Sequence, residues 1–162
     1  MVKWCVANGG VGSEWIRSSV QVFDGARVAP TAHLAPMQDY TKLEVWQQAH
    51  RLAMDVHRAS AGIPRRDNAA FISQLRRAAQ SVPTNIAEGS SKESNREFAR
   101  FLQIATGSAA ELHYHLQFAI GTELIPQSVG EALLTDTTIV RKRLFALLRR
   151  VRSTVGPKNS EP

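Results

Sequence analysis

Seven apolar residues between Phe98 and Ala119 are spaced alternately by four and three: Phe98, Leu102, Ala105, Ala109, Leu112, Leu116 and Ala119. An average step of 3.5 places all seven on one side of an α-helix, whereas a strand would scatter them over both faces. Such a stripe is about six turns long and needs an apolar surface of matching length. The chain is therefore constrained to fold as a long helix among other helices. A second apolar set, Phe101, Ile104 and Phe118, lies outside the seam. One stripe suffices inside a single bundle. The second implies cover from another side, by a neighbouring helix or another subunit, and these three residues are the candidate oligomer interface. Ala105, Gly107, Ser108 and Ala109 are small enough for a helix to approach closely there.

Three further helices supply the partners. The first is expected to begin after Tyr40 or Thr41, with Asp39 or Thr41 as cap, and to end near Gly62 and Pro64. Its stripe is Trp46, Ala49, Ala53 and Val56, flanked by Leu43 and Leu52. The second is expected to be capped by Asp67 or Asn68 and to stop at Gly89. Its apolar stripe is Leu75, Ala79, Val82 and Ile86. Pro83 within it lacks the N–H owed to the carbonyl four residues back, so a kink or a broken ladder is expected there. Ser94 and Glu97 have capping-box spacing at the start of the third helix, about Asn95 to Gly121. The fourth starts at Pro126 or Ser128, with Leu133, Val140, Leu144, Leu147 and Val151 on one face, and ends by Gly156-Pro157.

Short turns between four long helices predict an all-α, up-down-up-down four-helix bundle over residues 37–155. Residues 156–162 read as a tail. Residues 1–36 mix glycines and prolines with aperiodic apolar residues and read as a disordered or non-native extension. Ser19 to Phe23 could form a short strand, but nothing nearby offers it a partner. A chain beginning at Met37 is expected to keep the helix content and melting temperature of the full chain. A drop of more than a few degrees would show that the extension packs on the bundle.

A polar stripe runs beside the apolar one on the second helix: Arg77, Ser81, Asn85 and Glu88. It is expected to be a buried structural network that fixes helix register, with Arg77 and Glu88 each meeting a charged partner outside that helix. Glu111 is the candidate for Arg77.

These stretches together resemble a known family. Leu43-x-x-Trp46-x-x-Ala49, QLRRA from Gln74, NIAEG from Asn85 and the run F-x-x-F-L-x-I-A-x-G-S-x-x-E-L from Phe98 occur in its order. The chain from Tyr40 to Val151 resembles the four-helix bundle proteins encoded by intervening sequences in bacterial 23S ribosomal RNA genes. That family is similar to the accessory protein of diversity-generating retroelements. The resemblance implies a small up-and-down bundle, often a homopentamer, with no established enzymatic activity and, through the retroelement relatives, nucleic-acid binding.

Charge is consistent with a polyanionic partner. The formal net charge is +6 and the sequence pI near 10.1. Lys3, Arg17 and Arg27 are cancelled by Glu14, Asp24 and Asp39, so the excess belongs to the helices. Arg141, Lys142, Arg143, Arg149, Arg150 and Arg152 cluster on the fourth helix, and Lys92, Arg96 and Arg100 lie around the start of the third. Cations near a helix C-terminus are favoured by its dipole, which accounts for Arg149, Arg150 and Arg152 without a ligand; Arg141 to Arg143 are too far from the end. The candidate RNA or DNA interface is Arg141, Lys142, Arg143, Arg149, Arg150, Arg96 and Arg100. No aromatic residue is read as interleaved with these arginines, so base stacking is not indicated and contacts are expected to be mainly to phosphate. The rival class is an assembly or adaptor protein whose partner is another protein.

Catalytic patterns are thin, and no enzyme is expected. Glu111 and His115 are four apart rather than three, and no second Glu-x-x-His pair completes a bundle-core metal site, so neither metal nor cofactor is expected. No glycine-rich loop follows a strand to cradle a nucleotide. Arg51 and His57 match a spacing used by some helical RNases, but six residues rotate about 240° on a helix, so the two do not share a face. One cysteine, Cys5, excludes internal disulfides. No run approaches the roughly 18 apolar residues of a membrane span, and the cytoplasm is the expected location.

Overall fold

The computed structural model describes residues 39–155. The expectations for residues 1–36, including Cys5, and for 156–162 lie outside the described residues. Four helices make the fold: α1 Glu44–Ala59, α2 Arg65–Ser90, α3 Asn95–Gly121 and α4 Gln127–Ser153. A single 3-10 turn, Tyr40–Lys42, leads into α1, and another, Ser60–Gly62, leaves it. Each helix packs against its neighbour in sequence, α1 closes against α4, and the diagonal pairs make no close approach. The architecture is the expected all-α four-helix bundle. Successive helices run antiparallel, so the starts of α1 and α3 share one end of the bundle with the ends of α2 and α4.

The α3 seam forms as its spacing predicts. Phe98, Leu102, Ala105, Ala109, Leu112, Leu116 and Ala119 are all buried. The stripe of α2 is buried too, and so are Ala49, Leu52, Ala53 and Val56 of α1. Trp46 is only half-buried; its ring stacks on His50 at 5.0 Å and meets the edge of Tyr40 at 4.9 Å. On α4, Leu148 faces the core and Leu147 is half-buried, the reverse of the expected face, and Thr137 fills a core position as well. The Thr137 hydroxyl donates to the Leu133 carbonyl at 2.7 Å, which lets a polar residue sit fully buried.

The helix ends follow local chemistry, with two corrections. Asp39 caps the first turn by accepting from the backbone and hydroxyl of Thr41. That hydroxyl, then the backbone N–H, holds the Asp39 carboxyl below its ordinary range. Ser94 caps α3, its Oγ accepting from the Glu97 N–H at 3.2 Å and donating to the Glu97 carboxylate at 3.1 Å. The start of α2, however, lies at Arg65 directly after Pro64, and Asn68 instead donates from its side chain to the Pro64 carbonyl. Pro64 itself occupies the cap position, with φ of −58° and ψ of 120°, so Asp67 and Asn68 fall inside the helix, and no side chain caps it. Gly89 is inside α2 rather than beyond it, close against Phe98 and Phe101.

Pro83 does not divide α2, which is helical from Arg65 to Ser90. Around it, Thr84 donates its hydroxyl to the Gln80 carbonyl at 2.9 Å and Asn85 its amide to the Ser81 carbonyl at 2.7 Å. The α3–α4 turn uses Glu123, with φ of 57°, as its left-handed residue, while the preceding Gly121 is still helical.

Candidate nucleic-acid interface

The proposed cations do not form one surface. Arg143 is drawn off to Glu44 of α1, Nη1 to Oε2 at 2.6 Å. Arg141 is half-buried, and its Nε is covered without a hydrogen-bond partner. Lys142, Arg149 and Arg150 are exposed. A groove of about 470 Å³ on α4 is lined by Lys142, Phe145, Ala146, Leu148, Arg149 and Arg152. Arg150 is not among its lining residues. Phe145 overturns the expectation that no aromatic residue is interleaved with these arginines. It stands between Arg143 and Arg149 in the chain and is 55% exposed. The signal was present: on a helix, Lys142, Phe145, Arg149 and Arg152 are spaced three, four and three and share one face.

Arg96 and Arg100 are exposed at the start of α3. They lie at the same end of the bundle as Arg149 and Arg152, because Asn95 donates to the Thr154 hydroxyl at 2.8 Å across α3 and α4. The guanidinium of Arg100 and the ammonium of Lys92 each sit 5.0 Å from the centroid of Phe101. Lys92 also lies 3.7 Å from the Glu88 carboxylate.

Phe101 is buried by its own chain and leaves the candidate oligomer face. Its ring fills the space that Gly89 opens beside α2. Ile104 at 41% and Phe118 at 44% remain exposed on the outside of α3, with Tyr114, at 61%, as an unanticipated companion. Phe118 leans on Phe71 of α2, centroids 5.3 Å apart.

The polar stripe of α2 divides. Its middle is structural: the Ser81 and Ser108 hydroxyls meet at 2.8 Å between α2 and α3, and Asn85 donates to Ser81 Oγ at 3.0 Å. Its ends are not buried. Arg77 is exposed and, among the described residues, pairs with no carboxylate; Glu88 is exposed beside Lys92, and Glu111 lies 3.5 Å from His115. Burying either charge without a partner would cost several kcal/mol, so the long side chains reach water while the short ones face α3. The half-buried arginine is Arg76, one residue earlier, whose Nε donates to Ser60 Oγ at 2.7 Å.

Arg51 and His57 do not converge. Arg51 lines a groove between α1 and α4 with Asp55 and Asp136. His57 lines the opposite side, against α2, with His50, Met54 and Thr84. The two side chains line different grooves, one toward α4 and one toward α2. Among the described residues no group of three His, Cys, Asp or Glu side chains gathers, and no helix is long and apolar enough to cross a membrane.

What the α4 groove offers is cations flanking an exposed aromatic face. Lysine and arginine attract phosphate, and an open ring takes a base of any sequence.

Comparison with known proteins places the bundle. The sequence profile of the 23S rRNA-intervening sequence protein matches residues 41–146. A solved structure from Bacteroides thetaiotaomicron, described as a protein with unknown function from the S23 ribosomal protein family, is similar at 25% identity and a TM-score of 0.60. The match covers 64% of this chain and 97% of that one. No curated protein matches in sequence. With most of the bundle matched, the chain belongs to the 23S rRNA-intervening sequence protein family.

Proposed function

We propose that this protein is a non-enzymatic homo-oligomer, pentameric as the family resemblance implies, that binds single-stranded RNA or DNA through the outer face of α4. The observation that carries the reading is the exposed Phe145 flanked by Lys142, Arg149 and Arg152 on one groove. An exposed phenylalanine costs apolar burial, and three cations around it repel one another. A nucleic-acid strand relieves both at once, with phosphates on the cations and a base on the ring. Assembly uses the separate outer face of α3, around Ile104, Tyr114 and Phe118. A few cations per subunit bind weakly, and a ring repeats them at high effective concentration. The single cysteine fits a reducing compartment, and we place the protein in the cytoplasm.

Fluorescence anisotropy with a labelled single-stranded RNA and DNA, from 50 to 200 mM salt, tests this. Replacing Lys142, Arg149 and Arg152 together by glutamine is expected to flatten the slope of log affinity against log salt by about 0.7 for each phosphate no longer neutralised. Phe145→Ala is expected to weaken binding by about 1–3 kcal/mol with the slope unchanged. Light scattering should return the wild-type mass for both variants. Absence of salt-sensitive binding at 50 mM would overturn the reading and leave the protein-partner alternative.

A further inference from the structure

A second cationic groove lies across the bundle from α4. It has a volume of about 310 Å³ and runs along α2 beside the end of α1. Arg65, Arg76, Arg77, His57, Ser73 and Gln80 supply its polar lining. Among the described residues no carboxylate lines it, and no residue of α3 or α4 takes part. Among the described residues, none of the three arginines belongs to an ion pair; Asp55, on the last turns of α1, pairs with Arg58, and Asp67, in the first turn of α2, is not among the residues that line the groove.

Arginines along a helix usually end in water, and Arg65 and Arg77 alone would be read that way. Arg76 is different. It is half-buried, and its Nε–H is spent on Ser60 Oγ at 2.7 Å. Ser60 is itself 1% exposed and fixed in turn, its hydroxyl donating to the His57 carbonyl at 2.9 Å. The guanidinium is thereby held at its root while its four terminal N–H donors stay available. Taking a guanidinium partly out of water without a counter-charge is unfavourable. A rigid fork of donors in a groove free of carboxylates is the arrangement that recognises a phosphate in two-pronged fashion.

We propose that this α1/α2 groove is a phosphate-binding site, with Arg76 as the positioned fork and Arg65 and Arg77 as supporting cations. The His57 ring and the Ser73 and Gln80 side chains complete a polar wall suited to the remaining oxygens. The ligand is a phosphate ester, either a small phosphorylated molecule or the backbone of a nucleic acid. The site shares no residue with the α4 groove and stands or falls separately from it.

Calorimetric titration of the full chain with inorganic pyrophosphate, against sodium chloride at matched ionic strength, tests the site. Arg76→Gln is expected to lower pyrophosphate affinity by about 10- to 150-fold, the worth of one charge-assisted contact. Because Arg76 also anchors Ser60, Arg77→Gln is made in parallel; Arg77 is exposed and, among the described residues, makes no ion pair, so its substitution is expected to leave the fold intact. The Lys142, Arg149, Arg152 triple variant should bind pyrophosphate as the wild type does. A single-stranded RNA then separates the sources. Weaker RNA binding by Arg76→Gln means that the groove holds a nucleic-acid backbone, and unchanged RNA binding with lost pyrophosphate binding means a small phosphorylated ligand. Pyrophosphate heat no greater than that of matched chloride, or equal affinity in wild type, Arg76→Gln and Arg77→Gln, overturns the proposal.

Discussion

Leu112→Ala is expected to cost about 2–5 kcal/mol of stability, toward the upper part of that range. Leu112 is fully buried in the middle of α3. The cost of such a deletion depends on whether neighbours can move in to fill the space. Here the seam around it is rich in alanine, Ala105, Ala109 and Ala119 all being fully buried, and short side chains cannot reach into a hole. Urea unfolding with an unchanged m-value is the measurement. Leu147→Ala provides the contrast. That residue is half-buried on α4 and should lose clearly less than Leu148→Ala, which removes a core side chain. A loss below about 1 kcal/mol for Leu112→Ala would mean that the α3 seam is not the centre of the fold.

Gly89→Val is expected to destabilise by about 1–3 kcal/mol or more, through overpacking. A Cβ at position 89 would lie 2.7 Å from Phe101 Cβ and 2.8 Å from Phe98 Cδ2. The first of these atoms is next to the α3 backbone and cannot swing aside, so the helices must part. Gly89→Ala makes a sharper test, because helix propensity alone would favour alanine by up to about 1 kcal/mol. The clash is expected to reverse that sign. At Gly107, where an added Cβ meets nothing within 4 Å, alanine should stabilise instead. Thermal or urea unfolding of the three variants settles it, and a more stable Gly89→Ala would remove the close-approach argument.

Position 89 also shows what the sequence could and could not reveal. A glycine before two serines reads as a helix stop on conformational grounds, yet its reason is steric and lies on another helix. The four helices themselves were legible, because each carries several turns of apolar spacing and no such run is ambiguous. Finer facing was not. Leu147 and Leu148 differ by about 100° of rotation, and the alternation of steps alone does not say which one turns inward. Arg76 and Arg77 differ by the same angle, and only the path of α1 decides that Arg76 reaches Ser60. The cations of α4 could be counted, but not which of them is free. Arg143 is paired by Glu44, a residue 99 positions away. Phe145 is readable from spacing, yet it belongs to neither the core stripe nor the charges, and a reading built on those two classes passes over it.

The closure of α1 on α4 sets an order of assembly. The α1–α2, α2–α3 and α3–α4 contacts form between helices joined by short turns, at small loop-closure cost. The α1–α4 side joins the first and last helices in the sequence, so it is the pairing that raises contact order and is expected to form late. It is also lightly fastened. The buried side chains of α1 are mostly small, Val45, Ala49, Ala53 and Val56 beside Leu52, and the Arg143–Glu44 pair is exposed and worth at most about 1 kcal/mol. Hydrogen exchange should therefore find α1 among the first helices to open. Under the self-association proposed above, that opening would have a special outcome: the vacated slot of one copy would accept the α1 of the next, and the same weak side that completes one bundle would exchange between copies.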